Sequence, residues 1–143
     1  MRYMMIVKLA QNSEAGRNYE AGTPPPAELV AAMGKLDEEM PGALLDNGKL
    51  LPFAKGARIT AAGGKLTVTD GPFIESKEVI GGYAILRAGS KAEALAMGEA
   101  FMKIHVNILG PSYEAELEIR EMAAPRIAAQ EAPKTNSDPR THE

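Results

Sequence analysis

The chain of 143 residues fits about one domain and is long enough to bury a core without a metal or disulfide staple. Its 45% apolar and 24% charged residues are ordinary for a soluble globular protein, and zero cysteine excludes disulfides, cysteine zinc sites, iron–sulfur ligation and thiol catalysis. A net charge of −3 argues against a general nucleic-acid binder, and no apolar run reaches the roughly 20 residues of a membrane span.

The chain opens into a strand. Tyr3, Met5 and Val7 point to one face and Met4 and Ile6 to the other, and both sets are apolar. Such a strand is covered on both sides, whereas a half-solvated one alternates. The same stretch is too short and too soon interrupted for a signal peptide, so a cytoplasmic location is expected. Residues 11–26, with Gln, Asn, Ser, Gly and three consecutive prolines, read as a loop, and Pro24 to Pro26 suit the first turn of a helix. From Ala27 to Met40, Leu29, Ala32, Met33, Leu36 and Met40 form one helical stripe, ended by Pro41-Gly42.

Shorter elements follow. Asp46-Asn47-Gly48 reads as a turn and Lys49 to Ala54 as a short apolar segment. Ala57 to Ala62 and Lys65 to Thr69 flank Gly63-Gly64, the composition of a tight hairpin. Asp70-Gly71-Pro72-Phe73 breaks the strand. Beyond Ile80, Gly81-Gly82 leads into a second apolar strand, Tyr83 to Leu86. Ser90-Lys91-Ala92-Glu93 fits a capping box, and its helix carries Ala94, Met97, Phe101, Ile104 and His105 near one face before Gly110-Pro111. Ala115, Leu117 and Ile119 alternate with Glu116, Glu118 and Arg120 in a final strand. Residues 1–122 are expected to form the domain. Residues 123–143, rich in Pro and Ala with few large apolar side chains, are expected to be a disordered tail.

This order predicts an α+β fold, the ferredoxin-like βαββαβ pattern with an extra hairpin. Both helices would cover one face of an antiparallel sheet. The apolar second face of the first strand then calls for a second subunit, giving a homodimer whose sheets face each other in a dimeric α/β barrel. The competing reading leaves Met4 and Ile6 exposed at an edge.

The run Val68-Thr69-Asp70-Gly71-Pro72-Phe73-Ile74-Glu75-Ser76-Lys77-Glu78, followed by Gly81-Gly82-Tyr83, resembles the DGPF branch of the YCII-related family. The likeness runs over most of residues 1–122 and includes the His105 helix end and Gly110-Pro111-Ser112-Tyr113 through Glu118-Ile119-Arg120. The resemblance implies a dimeric α/β barrel with a ligand-sized cleft, in a family whose activity is mostly unassigned. It also implies kinship with muconolactone-isomerase-like enzymes using a His–Asp pair, and a genetic association with extracytoplasmic-function sigma factors. The family's histidine lies in the first helix, but Ala27 to Met40 contains none, so no dyad is carried over.

The residues themselves leave two readings open at each position. Asp70 either accepts backbone N–H bonds in its own turn or joins Glu75 and Glu78, with Lys77 beside them, as carboxylates around a cleft. Gly71 is expected to supply a backbone conformation that other residues avoid. His105, at the edge of the apolar stripe, is either a general base or a core-edge histidine bonded to a carbonyl or carboxylate. Tyr83 either offers its hydroxyl to a ligand or simply packs. Glu116, Glu118 and Arg120 form a solvated face or, if the strand lines a barrel interior, the polar groups of a pocket. No metal or cofactor is expected, since there is no paired-histidine or Asp-x-Asp spacing, no G-x-G-x-x-G, no P-loop and no G-x-S-x-G.

These features favour a dimer that binds a small ligand, with no nucleic-acid or membrane partner. The alternatives are a cofactor-free isomerase- or lyase-type enzyme with Asp70 or His105 as base, with Tyr83 and Lys77 as stabilisers, and a sigma-factor-associated regulatory module. Scarce histidine and absent tryptophan argue against a haem- or oxygen-using monooxygenase on the same barrel.

Overall fold

The computed structural model describes residues 1–71 and 78–124. Pro72, Phe73, Glu75 and Lys77 of the motif, and the expected tail from residue 125 onward, lie outside the described residues. The architecture is mixed α+β, with antiparallel sheets and, among the described residues, three α-helices. β1 (Arg2–Ala10) is flanked by β5 (Glu78–Arg87) and β6 (Ala115–Glu121), and β2 (Leu44–Lys49) lies outside β5, giving the order β2-β5-β1-β6. β3 (Ala57–Ala62) and β4 (Lys65–Asp70) form a separate hairpin.

Directly opposed residues of antiparallel strands share a face, so register assigns the two sides of the sheet. Tyr3, Met5 and Leu9 of β1 are buried, and their partners Leu86, Ala84 and Val79 on β5 lie on the same side. α3 (Lys91–Leu109) packs on that side. A Cβ built on Gly98 would lie 2.8 Å from Ile119 Cδ1 and 3.1 Å from Leu117 Cδ2, so this glycine lets the helix approach β6 closely. One core cluster joins Tyr3, Ala88 and Ala94, with Met97 and Ile119 against it. A second joins Leu9, Tyr19 and Val79, with Phe53 and Tyr113 against it. α2 (Ala27–Glu39) runs beside α3, burying Leu29 and half-burying Ala32, Met33 and Leu36, as its period predicts.

The capping expectation at Ser90 holds with one change. Ser90 Oγ accepts the Glu93 N–H at 3.1 Å, but the Glu93 carboxylate reaches back to Gly89 N–H rather than to Ser90. Gly63 and Gly64 have φ of 59° and 79°, the left-handed pair of a two-residue hairpin turn.

Four local expectations are corrected. Residues 11–26 are not all loop: α1 (Glu14–Glu20) begins where Ser13 Oγ accepts Gly16 N–H at 3.0 Å. The helix is held by Tyr19, which is buried against Leu9 and Val79 and whose hydroxyl lies 2.8 Å from the carbonyl oxygens of both Leu50 and Leu51. Asp46-Asn47-Gly48 is not a turn but the middle of β2, paired with Ile85, Ala84 and Tyr83. Gly81-Gly82 does not precede a strand. Both lie inside β5, where Val7 opposes Gly82 and Lys8 opposes Ile80, leaving Gly81 as the extra residue of a bulge. Gly71 lacks a left-handed backbone and is needed for space instead: a Cβ there would lie 1.8 Å from the Phe53 carbonyl oxygen.

Candidate functional site

The face of the sheet opposite the helices carries the exposed chemistry. Met4, Ile6 and Lys8 of β1 point there, because their odd-numbered neighbours point to the helices. The bulge at Gly81 shifts the alternation of β5 by one residue. Glu78 and Ile80 before it therefore share this face with Tyr83 and Ile85 after it, opposite Ala10, Lys8, Ile6 and Met4. From β6, Arg120, Glu118 and Glu116 stand beside Met4, Ile6 and Lys8. The centre is thus an apolar strip of half-buried Met4, Ile6 and Ile85, with Ile80 46% exposed at one end.

Polar groups border the strip on both sides. Lys8 Nζ lies 2.5 Å from Glu118 Oε1 and 4.0 Å from Glu78 Oε1, so it bridges the two strands that flank its own. The side chains of Lys8 and Glu118 are only 23% and 34% exposed. Arg120 Nε stands 3.8 Å from the other Glu118 oxygen. The hydrogen bond to Glu118 holds the Lys8 ammonium above its ordinary pKa, and the same bond with the Lys8 charge holds Glu118 below the ordinary carboxylate value. Each partner is fixed in its charged form near neutrality, which suits an electrostatic anchor rather than a proton relay. On the other border, Tyr83 lies over β2. A Cβ on Gly48 would fall 2.7 Å from Tyr83 Cε1, so the glycine makes room for the ring. The Tyr83 hydroxyl donates to Asp46 Oδ2 at a long 3.4 Å.

His105 stands on the helical side. Its Nδ1 is 2.9 Å from the Phe101 carbonyl oxygen, an acceptor, so Nδ1 carries the proton and Nε2 the lone pair. The ring lies tilted against Phe101, at 4.4 Å between centroids, and stacks on Tyr113 at 5.3 Å. Burial pushes the His105 pKa below its ordinary value, opposed in part by the bond to Phe101, and burial pushes Tyr113 up to about 12. This is the arrangement of a core-edge histidine bonded to a carbonyl.

The structure therefore brings Glu78 and Tyr83 onto one face and places His105 on the other, with the sheet between them. Asp70 ends β4 on the hairpin, exposed and opposite Ala57. Glu75 and Lys77 lie outside the described residues. Lys8 and Asp46 were not among the sequence candidates. The signal for Lys8 was a lone charge following Met4 and Ile6 on one parity of an apolar strand. A shallow, open depression of about 450 Å³ beside Ala43, Arg87 and Glu93 lies at the other end of β5 from Glu78. Among the described residues no group of three or more His, Cys, Asp or Glu side chains is arranged to hold a metal ion, and no helix is long and apolar enough to cross a membrane.

The sequence model of the YCII-related domain matches residues 1–104. The chain belongs to the YCII-related family. No curated protein matches the sequence. An amidase of the hydantoinase/carbamoylase family from Burkholderia phymatum is 18% identical, over 86% of this chain and 28% of its own, with a TM-score of 0.27. This YCII-related chain spans little more than a quarter of that enzyme, and so loose a superposition carries no argument about either fold or activity.

Proposed function

We propose that this YCII-related protein is a member of the DGPF branch and works as a homodimer that binds a small ligand between two opposed sheet faces. The strand order β2-β5-β1-β6, with α3 crossing from β5 to β6, supports a ferredoxin-like unit into which the β3–β4 hairpin is inserted. The observation that carries the reading is the sheet face that no helix covers among the described residues. Its apolar strip of Met4, Ile6 and Ile85 is bordered by Tyr83–Asp46 on one side and Lys8–Glu118 on the other. Apolar surface with a few placed polar groups is the usual composition of a small-molecule site. Opposing two such faces closes a dimeric α/β barrel and gives Met4 and Ile6 the cover that one layer of helices cannot. The Lys8–Glu118 ion pair and the distance of His105 from this face favour binding over proton-transfer catalysis.

Native mass spectrometry of the purified protein tests the reading. The expected result is twice the chain mass of 15.2 kDa, with a bound small mass, or one acquired from a panel of aromatic and lactone carboxylates. Tyr83→Phe and Lys8→Met should weaken that binding while leaving the dimer. A single-chain mass at micromolar concentration overturns the dimer. A dimer that takes up nothing from the panel overturns the ligand site.

A further inference from the structure

Strand register places four residues in one row across the open sheet face: Gly48 of β2, Tyr83 of β5, Ile6 of β1 and Glu118 of β6. Both large neighbours of Ile6 lean away from it. The Tyr83 ring lies over Gly48, where a Cβ would fall 2.7, 3.2 and 3.3 Å from its Cε1, Cζ and Oη, and its hydroxyl reaches Asp46 Oδ2 at 3.4 Å. Glu118 turns instead to Lys8, two residues along β1 from Ile6. Asp46 is itself held, since its other oxygen accepts the Asn47 N–H at 2.8 Å. Two alternate residues of β2 thus keep the ring at the sheet edge, Gly48 by having no side chain and Asp46 by accepting the hydroxyl. Asp and Gly are poor strand formers, so strand propensity accounts for neither.

On the small-ligand reading above, on which this rests, we propose that Gly48 is the specificity-determining position of the ligand site. It parks Tyr83 over β2 and so opens a slot above Ile6 that takes a planar body of two fused rings. Neighbouring strands stand about 4.8 Å apart, so the slot runs roughly 10 Å from the β5 backbone to that of β6. Ile6 is its floor, Met4 and Ile85 extend that floor by one row, and the Lys8–Glu118 pair forms its far wall. A sheet face is flat, and a flat apolar floor suits a planar apolar body. A β-carbon at position 48 drives the ring off β2, because 2.7 Å is well inside contact distance. The ring is anchored on β5, so its other positions lie above Ile6 or Ile85. Either one takes about one strand spacing, roughly 5 Å, from the slot. A single ring fits in what is left and a fused pair does not.

Isothermal titration calorimetry of the full chain with benzoate and 2-naphthoate tests the assignment, with circular dichroism to confirm the fold of each variant. The two probes carry the same carboxylate and differ in the apolar body alone. The wild type should bind both, 2-naphthoate more tightly. Gly48→Ala should weaken 2-naphthoate by about 10-fold or more and benzoate by less than about threefold. Gly48→Ala/Tyr83→Ala removes the displaced ring and should return the ratio of the two affinities to that of the wild type. Asp46→Ala frees the ring without adding an atom beside it, and should shift the same ratio by about threefold in the direction of Gly48→Ala. A wild type that takes neither probe overturns the ligand site and this assignment together. One that binds benzoate and refuses 2-naphthoate overturns the slot alone. An equal loss for both probes in Gly48→Ala, the mark of a merely structural glycine, overturns the selecting role, as does no loss for either. If Gly48→Ala fails to fold, an unchanged ratio in Asp46→Ala overturns it instead.

Discussion

Replacing Gly71 by alanine tests whether the glycine of the Asp-Gly-Pro-Phe motif is there for packing. The added Cβ would fall 1.8 Å from the Phe53 carbonyl oxygen and 2.7 Å from its carbon, both backbone atoms, so no side-chain rotation relieves the clash. The Gly71 backbone at the hairpin root and the turn at Phe53–Lys55 must move apart. That strains or breaks the 2.9 Å bond from Gly71 N–H to the Gly56 carbonyl and moves Phe53 away from Leu9, Tyr19 and Val79. Overpacking costs about 1–3 kcal/mol and a lost backbone hydrogen bond about 1 kcal/mol, so the variant should lose about 2–4 kcal/mol. For a domain of this size that lowers the melting temperature by roughly 6–15 °C. Urea denaturation followed by circular dichroism reads the loss, provided the slope with denaturant is unchanged. Gly34→Ala is the control, because nothing lies within 4 Å of its Cβ position in α2. It should stabilise by about 0.5–1 kcal/mol. A Gly71→Ala protein within about 0.5 kcal/mol of the parent, the range of an uneventful surface substitution, would refute the packing argument.

Ser13→Ala removes both the cap to Gly16 N–H and the 2.7 Å bond to the Ala10 carbonyl, and should cost about 1–2 kcal/mol in the same urea assay. His105 is held neutral by burial, so its contribution to stability is complete above the ordinary value of 6.5 and declines as pH falls below it, where the unfolded chain takes up the proton first. The stability of His105→Gln should therefore fall less than the parent's between pH 7.5 and 5.5; equal declines would refute this. Tyr113, raised from 10.0 to about 12, should be the last tyrosine to ionise in an alkaline absorbance titration, and Tyr113→Phe should abolish that final phase. Its neutral form favours the folded state, so the associated stability is present below pH 10 and is lost as pH rises toward 12.

The elements legible in the sequence were those whose signal is local. α2 and α3 declare themselves through apolar stripes and, for α3, the Ser90 cap; β6 through strict alternation; the hairpin through Gly63-Gly64. What escaped depends on distant partners. α1 has two turns and a glycine in its middle, so propensity alone argues against it. It forms because Tyr19 finds a buried site and hydrogen-bond acceptors more than thirty residues away, at Leu50 and Leu51. Asp46-Asn47-Gly48 has the composition of a turn, but β5 offers it a strand partner, and the missing side chain of Gly48 is what the Tyr83 ring requires. Gly71 signals its importance in sequence but not its reason, since a forbidden backbone angle and a forbidden side chain select the same residue.

The same distinction governs the candidate site. Alternation along β5, continued without interruption, would send Tyr83 and Ile85 to the opposite face from Ile80 and Glu78. The bulged Gly81 cancels one step, and it lies buried against Leu9 and Tyr19 on the helical side of the sheet. One glycine thus decides that the tyrosine shares a face with Lys8 and Glu118 while His105 stays behind the sheet. The groups gathered on that face are an ion pair fixed in its charged forms and a phenol leaning on a carboxylate. In the proposed reading such groups would orient a polar ligand over an apolar floor, whereas a catalytic base needs a pKa near the working pH. His105 has the chemistry for that task, but its Nδ1 is committed to the Phe101 carbonyl and its ring packs against Phe101 and Tyr113. The separation across the sheet, with the Lys8–Glu118 pair and Tyr83 on one side and the titratable imidazole in the packing on the other, is the physical argument behind proposing a binding protein rather than an enzyme.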